Sequence, residues 1–195
     1  MVTQRDDRPD SAVWQLPEEA ATQAWGAALA RALDPELLSK QSFVVHLSGD
    51  LGAGKTALAR AVLREAGFEG PVKSPTFALL EPYNLTNFSA YHFDLYRFSS
   101  SEQWFDAGFD DVLAVPGLVL VEWPEKAADA LGEPDLRLGL APTRREGERR
   151  LHARAFGEAG RRCLTRLRAD RAIASWSTAD GGPTSPAPPT PSPTH

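Results

Sequence analysis

Gly49-Asp50-Leu51-Gly52-Ala53-Gly54-Lys55-Thr56 fits the pattern G-x-x-x-x-G-K-[ST], and its neighbours are those the pattern requires. Phe43-Val44-Val45-His46-Leu47 precedes it, a short apolar and β-branched run that reads as a buried strand. Thr56 to Ala66 follows, made of good helix formers and closed by Gly67 as a C-terminal cap. Strand, glycine loop and helix is the order in which a triphosphate is held. Glycines let the backbone curl so that its N–H groups face the anion, and the new helix adds its positive end. Lys55 would neutralise the outer phosphates and the Thr56 hydroxyl would ligate Mg²⁺. The expected nucleotide-binding stretch is Gly49, Asp50, Leu51, Gly52, Ala53, Gly54, Lys55, Thr56 and Ala57.

Working outward, the 195 residues suit one domain with tails, and 42% hydrophobic with 24% charged residues are typical of a soluble globular protein. No run reaches the ~18 apolar residues of a membrane helix, and the first ten residues carry no apolar signal core. Cys163 is the single cysteine, which excludes an internal disulfide and accords with a cytoplasmic setting. A net charge of −5 argues against the whole chain being an electrostatic nucleic-acid binder, so any RNA contact would need a local patch or a partner. Residues 1–10 read as a disordered tail, 11–174 as one domain, and 175–195 as a flexible proline-rich tail.

Ala12 to Leu16 reads as a short edge strand. Pro17-Glu18-Glu19 opens a helix whose stripe of Ala21, Trp25, Ala28, Leu29 and Ala32 runs to about Leu33. After the phosphate-loop unit at 42–67, Phe77–Tyr83 and Ala90–Tyr96 read as strands. Their short, turn-rich connection requires them to be antiparallel, because a parallel return needs a crossover. Ser100 to Trp104 reads as a capped short helix, Leu118 to Val121 as a buried strand, and Glu125 to Leu131 as a short helix. Leu136–Leu140 and Arg150–Phe156 alternate and form a terminal hairpin, followed by a helix from about Glu158. The fold class is therefore α/β: a P-loop NTPase-like three-layer sandwich whose sheet mixes parallel and antiparallel strands.

Phosphate-loop chemistry needs an acid at a strand end to order Mg²⁺ and its waters. Two stretches compete for that role, Leu118-Val-Leu-Val-Glu122 and His92-Phe-Asp94-Leu-Tyr96-Arg97. In the second, His92, Asp94 and Tyr96 share one strand face, opposite Tyr91, Phe93 and Leu95. His92-x-Asp94 also resembles a metal pair, but no other histidine has ligand spacing with it, and a packing histidine is the better reading. Lys73-Ser74-Pro75-Thr76 lies where a segment sensing the γ-phosphate would lie, and is equally an ordinary turn into a strand. Arg144-Arg145 and Arg149-Arg150 read as an exposed hairpin tip rather than a kinase lid. Arg60 and Arg64 read as a solvated face or a partner surface. No Asn-Lys-x-Asp guanine-reading motif is present, which leans towards ATP.

Taken together, Gly49–Thr56, Val72-Lys-Ser-Pro-Thr-Phe77, Glu81-Pro-Tyr83, Tyr91-His-Phe-Asp-Leu-Tyr-Arg97 and Val121-Glu-Trp-Pro-Glu125 closely resemble the TsaE (YjeE) family of bacterial tRNA threonylcarbamoyladenosine biosynthesis. Leu16 to Thr22 also resembles that family's opening segment, and the likeness runs to about Phe156. The resemblance implies a slow ATPase on a mixed α/β sandwich, using ATP and Mg²⁺. It also implies TsaB and TsaD as protein partners, which transfer the threonylcarbamoyl group to the adenosine beside the tRNA anticodon. Carried over by position, Lys55 holds phosphates, Thr56 and Glu122 order the metal, and Asp94 is the acid associated with hydrolysis. Ser74 and Thr76 fall in the switch segment, Trp123 lies beside the nucleotide, and Thr22 faces the adenine. Gln103-Trp104 departs from the family, which tends to have a second acid and an aliphatic residue there. The reading expects low turnover until a partner completes the site. The competing enzyme class is a small-molecule kinase with Asp94 as base and the Arg144–Arg150 cluster as lid; a non-catalytic nucleotide-dependent scaffold is the other alternative.

Overall fold

Phe43, Val45 and Leu47 are buried on one face of β2 (Ser42–Ser48), the strand that delivers the chain to the phosphate loop. The structure, a computed structural model, describes residues 10–178. Before β2 come β1 (Ser11–Leu16), α1 (Glu19–Ala32) and the single turn α2 (Pro35–Leu38). The Asp34 carboxylate caps α2 by accepting from the backbone N–H groups of Glu36 and Leu37. After the loop run α3 (Lys55–Glu65), β3 (Leu80–Asn84), β4 (Ser89–Asp94), α4 (Glu102–Asp106), α5 (Asp110–Ala114) and β5 (Gly117–Glu122). A 3₁₀ turn at Pro124–Ala127 leads into α6 (Ala128–Leu131), then β6 (Leu136–Pro142), β7 (Arg149–Ala155) and α7 (Gly157–Ala169). A second 3₁₀ turn, Ala174–Trp176, precedes β8 (Ser177–Thr178).

The eight strands form one sheet in the order β3-β4-β5-β2-β6-β7-β1-β8. Its centre is parallel: β4 pairs with β5, β5 with β2, and β2 with β6. Both ends are antiparallel, through the β3–β4 and β6–β7 hairpins and the β1 pairings. The sheet is therefore mixed, and the antiparallel hairpin between two candidate segments is one cause.

β5 is buried along its whole length because each of its faces meets a different apolar layer. Leu118 and Leu120 pack with residues of α1, α3 and α7, while Val119 and Val121 pack with Phe93, Trp104, Ala127 and Leu131. Three layers follow directly. Trp104 meets Phe93 at a tilt and Phe109 meets it edge-on, at ring separations of 5.0 and 5.1 Å. Trp104 thus fills a core position while Gln103 stays exposed, and removing the indole would cost on the order of 3–5 kcal/mol. Gln103 closes the same turn by accepting from the Ser99 backbone N–H and hydroxyl.

Several boundaries differ from expectation for local reasons. β3 begins at Leu80 rather than Phe77, because the chain from Pro75 turns across the site; the Leu79 N–H bonds Pro75 O at 2.6 Å with Leu79 at φ 66°. β4 ends at Asp94, whose carboxylate turns the chain by accepting from the Tyr96 N–H. α1 starts at Glu19, with Pro17 ahead of the cap, and α5 is an element that periodicity over five residues could not resolve. β1 is flanked on both sides, because Ser177 and Thr178 return to pair with it rather than leaving as tail. The remainder of the expected tails, 1–9 and 179–195, lies outside the described residues. Among the described residues, no helix is long and apolar enough to cross a membrane.

Candidate functional site

In the parallel register Asp94 lies beside Glu122, and Glu122 beside Leu47 at the end of β2. Strand alternation puts His92, Asp94 and Glu122 on the face shared by Ala90, Leu118 and Leu120, which is the face covered by α3. Two adjacent strand ends, of β4 and β5, therefore bring carboxylates beside the strand that leads into the phosphate loop. The polar face of β4 is thus buried rather than wet: His92, Asp94 and Glu122 are all buried.

Gly49 adopts φ 142°, and a Cβ there would lie 2.3 Å from Leu140 O, so only glycine fits. Gly52 and Gly54 also have positive φ, giving the curled backbone of an anion-binding nest ahead of α3. Lys55 is buried; its Nζ donates to Gly49 O at 2.5 Å and Asp50 O at 2.9 Å. The same ammonium sits 3.6 Å from the centre of the Trp123 ring, a cation–π contact. Trp123 is held in the left-handed region at φ 59°, and its ring packs against Tyr96. Burial lowers the Lys55 pKa, opposed by the fields of Glu122, Glu125, Asp94 and Asp50.

The Thr56 hydroxyl donates to Glu122 Oε2 at 2.9 Å. Glu122 Oε1 pairs with His92 Nε2, also at 2.9 Å. Thr76 donates its hydroxyl to Asp94 Oδ2 at 2.6 Å, and Ser74 lies 2.8 Å from Thr76. Arg97 Nε donates to Thr76 O while its guanidinium stacks over Phe77, which is 85% exposed. The Lys73–Thr76 segment is thus tied to the strand-end acid and not simply a turn into β3.

The donor set fits Mg²⁺. A hydroxyl and a carboxylate at hydrogen-bond distance are hard oxygen ligands, and Mg²⁺ takes one or two of these with phosphate and water making up the rest. Among the described residues, no group of three or more His, Cys, Asp or Glu side chains forms a self-sufficient cage.

Thr22 approaches the loop from α1: its methyl lies 3.7 Å from the Cβ position of Gly54, and its buried hydroxyl has no partner. Ala57 also lines a groove between α1 and α3 with Gln23, Arg60 and Ala61. Arg149 was not singled out as a site residue by the sequence. Its Nε donates to Ala53 O at 3.0 Å, and its Nη1 to Gly147 O at 3.0 Å. The β6–β7 tip thereby folds over the loop, enclosing a cleft of about 230 Å³ between Asp50–Ala53 and Pro142–Arg149. The arginine pairs were visible in the sequence; the strand order that carries this hairpin beside β2 was not.

A phosphate loop between a parallel strand and its helix, with a lysine, a hydroxyl and two strand-end acids converging on it, defines a protein of P-loop NTPase-like fold. Residues 16–151 match the family described as "Threonylcarbamoyl adenosine biosynthesis protein TsaE". The chain belongs to the TsaE family. It is 37% identical over 131 residues to the Haemophilus influenzae tRNA threonylcarbamoyladenosine biosynthesis protein TsaE, spanning 67% of this chain and 82% of that one. The protein of the same name from Treponema pallidum is 34% identical, over 61% of this chain and 83% of its own. Among solved structures, Bacillus subtilis YdiB superposes with a TM-score of 0.64 at 27% identity, covering 82% of this chain and 95% of that one.

Proposed function

We propose that this chain is an ATPase of tRNA threonylcarbamoyladenosine biosynthesis, binding ATP with Mg²⁺, hydrolysing it slowly, and acting in the cytoplasm with TsaB and TsaD homologues. The observation that carries the reading is the convergence of Lys55, Thr56, Thr76, Asp94 and Glu122 on one loop in a chain of the TsaE family.

In this reading the loop N–H groups and the N-terminus of α3 receive the β- and γ-phosphates. Lys55 exchanges its two loop carbonyls for phosphate oxygens, and Trp123 yields the space over the ammonium. Thr56 and Glu122 would hold Mg²⁺, which when bound neutralises charge developing on the transferred phosphoryl group. Asp94 orients the attacking water and accepts its proton once Thr76 has released the carboxylate. The cleft between the loop and the hairpin, at about 230 Å³, adjoins the phosphate-binding backbone and is open to receive part of the nucleotide. With Asp94 engaged by Thr76 and the switch segment's Phe77 exposed, a partner that draws this segment aside would accelerate hydrolysis.

The test follows the γ-phosphate. Purified protein with γ-labelled ATP should release label only to water, at less than ~1 per second, the lower end of kinase turnover. Faster hydrolysis would overturn the slow-ATPase reading. Label appearing on an added small hydroxyl compound would favour the kinase.

A further inference from the structure

We propose that His92 is a positioning residue that fixes Glu122 for its part in the metal site, an inference that rests on the nucleotide-site reading above. Glutamate at a strand end has one more rotatable bond than aspartate, so its carboxylate needs a second anchor to keep one orientation. The structure supplies two. Thr56 holds Oε2 at 2.9 Å and His92 Nε2 holds Oε1 at 2.9 Å, which uses both oxygens and leaves the carboxylate no free rotation. Thr56 sits in the first turn of α3, directly after the phosphate loop, whereas His92 sits on β4, inside the sheet. Only the histidine anchor is independent of what the loop binds.

The imidazole is 0% exposed and the carboxylate 2%, so water does not compete for this bond. His92 Nδ1 is also buried and has no partner, and a proton there would be a buried donor without an acceptor. The ring is therefore the Nε2–H tautomer, donating to Glu122. A histidine that merely packed would not aim its one donor at the acid beside the phosphate loop. Partners that orient a metal ligand typically change metal affinity 10–100-fold when removed.

The test uses the full chain with a non-hydrolysable ATP analogue and Mn²⁺ as the paramagnetic probe. His92→Leu and His92→Asn, the latter too short to reach Glu122, should each weaken Mn²⁺ binding in the nucleotide complex by about 10–100-fold. Nucleotide affinity measured in chelator should stay within about twofold of wild type, because the loop is untouched. His92→Gln, whose amide N–H reaches the same oxygen, should recover Mn²⁺ affinity to within a few-fold. In a Glu122→Gln background His92→Leu should add no further loss. Folded variants that bind Mn²⁺ like wild type, or a full additional loss in the Glu122→Gln background, would overturn the proposal. If His92→Leu fails to fold, His92→Asn against His92→Gln decides it. Wild-type protein that binds no Mn²⁺ with nucleotide would instead overturn the nucleotide-site reading itself.

Discussion

Acid should destabilise this protein through His46. The side chain lies mid-strand on β2, is 4% exposed, and its Nε2 has no hydrogen-bond partner. Burial, together with the Arg137 charge in register across from it on β6, lowers its pKa from 6.5 to about 4. Between those values the unfolded chain binds a proton that the native state does not, so stability falls as pH falls through this window. At about 1.4 kcal/mol per pH unit the complete loss is about 3 kcal/mol, and by pH ~5 about 2 kcal/mol is gone. That is a large share of the ~5–15 kcal/mol that holds a typical domain together. Urea unfolding of wild type and His46→Leu, followed by circular dichroism at pH ~7.5 and ~5, measures it directly. Wild type should lose about 2 kcal/mol more than the variant between the two pH values. Equal losses would refute the reasoning and place the acid sensitivity on other groups.

Arg149→Ala should weaken nucleotide binding by roughly 5–30-fold, since a charged hydrogen bond to the loop is worth about 1–2 kcal/mol at a half-buried site. Titration with a fluorescent ATP analogue reads it, and an unchanged affinity would return the hairpin tip to a solvated surface. Gly160→Ala sets two effects against each other. A helix-interior alanine gains about 1 kcal/mol, but its Cβ would lie 2.1 Å from the Asp135 carbonyl oxygen. Displacing α7 from that backbone costs about 1–3 kcal/mol, so thermal unfolding should show a net decrease.

How far the sequence carries the structure depends on whether a feature is local. The phosphate loop, its strand and its helix are set by neighbouring residues, and they stand where the spacing puts them. Strand alternation likewise predicted that His92 and Asp94 share a face, and the short connection at Asn84 predicted the antiparallel hairpin that makes the sheet mixed. What the alternation could not say is which face meets α3. That depends on strand order, so His92 read as packing rather than as a partner of Glu122. Arg149 was hidden for the same reason: its contact with Ala53 spans 96 residues and exists only because β6 lies beside β2. Phe77 misled through its own propensity. An apolar aromatic at the head of a β-like run suggests a strand, yet the Thr76–Asp94 bond holds that residue out in solvent. At the C-terminal end, Ser177 and Thr178 have no pattern of their own and are strand only because β1 offers them an edge.

If the proposed function holds, ATP held by Lys55 and its loop drives tRNA modification. The direct measurement is multi-turnover threonylcarbamoylation of tRNA by TsaB and TsaD homologues, with wild-type chain, with Lys55→Ala, and with no chain added. Modification that continues past one turnover only with the wild-type chain is the predicted result. Sustained modification with Lys55→Ala, at a rate equal to wild type, would contradict it.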